Sequence, residues 1–111
     1  MSRVSKGVMT ITLNDNEYTL KATIAAIEAI ENRFQGGMVA AAQACVKLSF
    51  QDAAYILSKA ASLKGEDVKR LKQDILVDGV QAAAEHAADY LQMLINPEEA
   101  EAEEGDASGE E

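Results

Sequence analysis

The sequence predicts an α+β domain that is predominantly helical, an N-terminal β-hairpin followed by about five α-helices packed as a small bundle. Three observations carry this. Residues 7–13, GVMTITL, alternate apolar and polar side chains, and a second alternating stretch follows within a few residues. After Lys21 the apolar spacing switches from period two to the three-four spacing of a helix. Gly36-Gly37, Lys64-Gly65, Asp78-Gly79 and Asn96-Pro97 then divide the rest into segments of helical length.

The junction from Glu17 to Phe34 organises the chain, because it begins as a strand and becomes a helix within two residues. Before it, Met9, Ile11 and Leu13 form one face of a strand against Val8, Thr10 and Thr12. Asn14-Asp15-Asn16 supplies turn chemistry, since Asn and Asp tolerate left-handed backbone. Tyr18 and Leu20 alternate with Thr19 and Lys21 on the second strand. A lone hairpin is marginal in water, so its apolar side is expected to lie on Ile27, Ile30 and Phe34 of the first helix. Thr23 suits that helix's N-cap, and Gly36-Gly37 its C-cap and a hinge.

The second helix, Met38 to Leu48, is rich in alanine, which permits close approach to a neighbour. Ser49 with Asp52 resembles a capping pair for the third, whose stripe is Phe50, Ala53, Ala54, Leu57, Ala60 and Ala61. Glu66 and Asp67 favour the start of the fourth, with Val68, Leu71, Ile75 and Leu76 as its inner face. Val80, Ala83, Ala84, Ala87, Leu91, Leu94 and Ile95 make the longest stripe, on the fifth.

Composition sets the class. Residues 97–111 contain eight acidic and no basic side chains, and residues 1–96 hold eleven acids against ten bases. The net charge of −9 therefore belongs to a tail, and the domain of residues 1–96 is nearly neutral. The tail's composition predicts disorder. A neutral domain with an acidic tail lacks the basic footprint of a nucleic-acid binder. No apolar run approaches the roughly 20 residues of a membrane span. The N-terminus lacks the continuous apolar stretch of a signal peptide, and one cysteine fits a reducing compartment. A cytoplasmic protein is expected.

The hairpin and the helix after it also resemble a known family. Tyr18-Thr19-Leu20, then Ile30-Glu31-Asn32-Arg33-Phe34 with Gln35 before Gly36, is similar to the strand pair and helix close of the gene transfer agent family of small phage-type tail proteins. That family lies in the tail assembly chaperone group and has also been labelled a tail tube protein. Leu48, Ser49 and Asp52, and Gly65 to Val68, extend the resemblance, which covers roughly residues 7–95. It implies a non-enzymatic assembly factor for a phage-like tail, with the helical tape measure protein and other tail proteins as partners. The alternatives are a structural tail component retained in the particle, or an unrelated cytosolic helical adaptor. The resemblance transfers no binding residues.

Cys45 reads as a small buried hydrophobe, with no base in sequence reach. His86, the only histidine, reads as a boundary residue, and one His with one Cys does not make a zinc site. Glu28 reads as solvated, and Glu31 as a structural bond to backbone of the hairpin or the next turn. Gly36-Gly37 lacks the Lys-Ser/Thr of a phosphate loop. Lys64, Lys69, Arg70 and Lys72, interleaved with Glu66, Asp67 and Asp74, read as a solvated face. No catalytic, cofactor or metal residues are expected. The expected functional surface is a groove of the third and fifth helices, because Phe50, Tyr55, Ile56 and Leu63, and Tyr90, Met93 and Leu94, place apolar side chains on more than one face. It is expected to take a tape measure helix or to serve self-association.

Overall fold

The computed structural model describes residues 3–5 and 7–96; the expected disorder of residues 97–111 lies outside them. Strands β1 (Arg3–Ser5), β2 (Val8–Leu13) and β3 (Asn16–Lys21) form one antiparallel sheet in the order β1-β2-β3. Five helices follow: α1 (Ile24–Arg33), α2 (Gly37–Val46), α3 (Phe50–Ala60), α4 (Glu66–Asp78) and α5 (Val80–Ile95).

The β2–β3 hairpin closes through Asn14 and Asp15, both left-handed at φ 52° and 64°. Two consecutive positive φ angles give a turn whose twist matches that of the strands it joins. The register pairs Met9 with Leu20 and Ile11 with Tyr18, so all five expected apolar residues share one face. Met9, Ile11, Leu13, Tyr18 and Leu20 are buried there, but the sheet lies on α3, α4 and α5 rather than on the expected face of α1; Ile30 and Phe34 are buried, Ile27 is half-buried, and α1 packs against α2 and α3. β1 is an addition to the expected two-stranded hairpin. Its three residues are too few for an alternating pattern, and it is joined to β2 across Gly7, whose φ of 81° permits the tight return.

Caps set the helix starts. Thr23 Oγ1 accepts from the Ala26 amide at 3.1 Å, and Ser49 Oγ from the Asp52 amide at 3.2 Å. The glycine pair does not cap α1. Phe34 takes that position, and Gly37, at φ 74°, instead opens α2. Gly79, at φ 102°, separates α4 from α5 in a single residue.

Two expected inner faces need correction. Leu76 on α4 is 69% exposed and Ile95 on α5 is 54% exposed. On α4 the buried positions are Leu71, Asp74 and Ile75, spaced by three and four residues. Leu76 sits about 100° round the helix from Ile75 and so points away. The inward place belongs to Asp74, a carboxylate expected in solvent but only 3% exposed.

Asp74 is buried because the hairpin turn supplies it with donors. Asn14 Nδ2 and Asn16 Nδ2 each donate to it at 3.0 Å, and the Tyr18 hydroxyl donates at 2.5 Å. One turn further along α4, Asp78 accepts from the Asn14 amide at 2.8 Å. Burial acts to raise the pKa of Asp74, but these bonds and nearby Arg70 outweigh it and hold the carboxyl below its ordinary value. Burial, and then the same carboxylate, push Tyr18 well above the usual tyrosine range. α4 thus clamps the turn that fixes the sheet's register.

Candidate functional site

Exposed apolar side chains without a charged neighbour on their own helix lie on α2. Gly37 to Val46 contains no charged residue. Its inward side, Ala41, Ala44 and Cys45, is buried. Its outward side carries Val39 and Val46, which are seven residues apart and therefore on the same side, exposed by 66% and 81%. Leu48, just past the helix, is 49% exposed and left-handed at φ 59°, a conformation that costs a non-glycine residue. A helix apolar on both faces is either wholly buried or has a second partner, and α2 is not wholly buried.

Beside this stripe a groove of about 320 Å³ runs between the end of α2 and the first half of α5. Cys45, Val46 and Leu48 line one side, and Ala84 and Ala88 the other. Gln81 and Glu85 form its polar rim, with Gln81 Nε2 donating to Glu85 Oε2 at 3.3 Å. Small side chains at the base admit the larger apolar side chains of a docked helix, and Glu85 offers an acid for a basic residue beside them.

The groove expected from α3 and α5 is not formed by the residues named for it. Ile56 and Tyr90 are 0% exposed and Met93 1%, so they belong to the interior. Phe50, Leu63 and Leu94 are half-buried against the same core. Tyr55 is half-buried: Arg33 and Lys59 lie over its ring at 4.6 and 5.4 Å, and its hydroxyl donates to the Ala29 carbonyl at 3.1 Å. The cause is packing: α3 and α5 lie directly against one another, α3 also meets α1, α2, α4 and β3, and α5 meets α2, α4 and β2. Their second apolar faces are taken up inside the domain.

A second, polar depression of about 240 Å³ lies between α3 and α4, with Arg33, Tyr55, Ser58 and Lys72 around it. Arg33 is held there by Asp52, with Nε and Nη2 each 3.0 Å from Oδ1.

Burial pushes the Cys45 thiol up to about 11, which keeps it protonated and poorly nucleophilic at neutral pH. His86 is half-buried on α5 near the Thr12 backbone, and burial lowers its pKa, favouring neutral imidazole. Glu28 and Glu31 are both exposed, so the structural bond expected of Glu31 gives way to a place on the helix surface. Among the described residues no three His, Cys, Asp or Glu side chains converge as a metal site, and no helix is long and apolar enough to cross a membrane.

The fold defines the chain as a hairpin-and-five-helix α+β domain that presents an uncharged helix face. No family model, curated protein or solved structure matches it.

Proposed function

We propose that the chain is a non-enzymatic assembly factor that holds an apolar helical segment of a partner against the outward face of α2. The observation that carries this is the pair Val39 and Val46 on a helix without a charge, beside a groove floored by small residues. Leaving that area in water gives up roughly 25 cal/mol for every Å² that a partner would cover. A helix laid along it would place side chains from successive turns in the groove.

The resemblance to small phage-type tail proteins gives the partner its most specific form. In that reading the domain acts in the cytoplasm as a tail assembly chaperone, keeping the long tape measure helix from aggregating until tube subunits replace it. Co-expression with fragments of a tape measure protein encoded nearby tests this. The wild-type chain is expected to keep at least one apolar fragment in the soluble fraction and to be absent from purified particles by mass spectrometry. Stoichiometric recovery from particles would favour a structural tail component, and failure with every fragment would remove the tape measure as partner.

A further inference from the structure

We propose that β3 is an open sheet edge to which a second copy of this chain adds its own β3, antiparallel and centred on Thr19. Among the described residues β2 lies between β1 and β3, and no strand pairs with the far side of β3. In an antiparallel ladder alternate residues turn their backbone N–H and C=O toward the neighbouring strand, and the others turn theirs away. The Ala22 amide, one residue past β3, donates to the Gly7 carbonyl at 2.8 Å. By alternation, Asn16, Tyr18 and Leu20 face β2, and Glu17, Thr19 and Lys21 face outward. Those three residues are exposed. Of their outward backbone groups, only the Lys21 carbonyl has a partner among the described residues, the Tyr90 hydroxyl, and a carbonyl accepts a second bond. Such a row of unpaired groups is a template for another strand.

The occupant is identified by charge. Glu17, Thr19 and Lys21 share the solvent face of the sheet, where their neighbours across β2 are Thr12, Thr10 and Val8, none of them charged. Neither Glu17 nor Lys21 is in an ion pair among the described residues. A two-fold axis through Thr19 sets each Glu17 directly opposite the partner's Lys21, and the two Thr19 side chains opposite one another. Opposite charges and paired threonines across an antiparallel ladder both favour pairing. An axis through residue 17 or residue 21 would instead set glutamate on glutamate or lysine on lysine, so the charges select the register. Edge lysines usually discourage strand addition, but here the edge is the electrostatic complement of its own two-fold image. One strand from each copy makes a small contact, and association in the micromolar to millimolar range is expected of it. The inference rests on the sheet alone and stands whatever α2 holds.

The test is sedimentation equilibrium of the full-length chain from about 1 μM to about 1 mM, where a monomer–dimer equilibrium is expected. Thr19→Pro removes the central outward N–H without touching the β2–β3 ladder, a place where an edge strand tolerates proline. It should leave the chain folded and monomeric. Glu17→Lys and Lys21→Glu, made separately, each turn two cross-strand pairs from attraction to repulsion and should weaken the dimer by about tenfold or more. An equimolar mixture of those two variants restores both pairs and should form a heterodimer. A wild-type chain that stays monomeric throughout would overturn the proposal. So would a dimer that both single-charge variants keep at wild-type strength. A dimer lost on Val39→Asp, Val46→Asp but kept by Thr19→Pro would overturn it as well, since the contact would then lie on α2.

Discussion

Replacing Tyr90 by alanine is expected to cost about 3–5 kcal/mol, the range for truncating a large buried aromatic. Tyr90 has no exposure, and its hydroxyl donates to the Lys21 carbonyl at 2.6 Å. It therefore fills the core from α5 and also ties that helix to the end of β3, where strand gives way to helix. Burial pushes its pKa up to about 12, so it remains a neutral donor at physiological pH. Tyr90→Phe keeps the ring and leaves the carbonyl without this donor, and should cost only about 1 kcal/mol. Denaturant unfolding of both variants checks this. An alanine loss no larger than the phenylalanine loss would mean that the ring contributes little to packing.

Asp74→Ala is expected to cost about 3 kcal/mol, because it strands the nearly buried Tyr18 hydroxyl and removes the acceptor on which the Asn14 and Asn16 amides of the turn converge. The same site gives a pH dependence of definite sign. The folded pKa of Asp74 is lowered, so its contribution is fully present above the unfolded value of about 3.9 and is lost as pH falls through the folded value. Relative to Asp74→Asn, which cannot titrate, the wild-type chain should lose stability on acidification below about pH 4. Thermal unfolding of the pair across that range measures it, and curves that stay parallel would show that the carboxylate charge does not hold the hairpin.

These two residues mark what the sequence reveals and what it hides. The hairpin is legible because Met9, Ile11 and Leu13 alternate cleanly and Asn14-Asp15 is a turn in chemical terms. Thr23 and Ser49 are legible as caps because their side chains act on amides three residues away. Asp74 is not legible: among Lys72, Arg70 and Asp67 it has the pattern of a solvated charge, and its donors lie 56 to 60 residues earlier. β1 is too short to show a period. The surface is the least legible part. Periodicity shows that α3 and α5 carry apolar residues on more than one face, but not that neighbours occupy those faces. The alanines of α2, read as a device for close packing, gave no sign that Val39 and Val46 would be left on the outside.

The claim that α2 presents a docking face, rather than valines that merely happen to be exposed, is tested by the double variant Val39→Asp, Val46→Asp. Both positions are mostly in solvent, so each change should alter stability by no more than about 0.5 kcal/mol. The measurement is titration of a fluorescently labelled apolar helical fragment, one retained by the wild-type chain, into each protein. The variant, equally stable, is expected to bind the fragment at least tenfold more weakly, a loss of about 1.4 kcal/mol. Equal affinity in a variant that unfolds at the same temperature as wild type would contradict it.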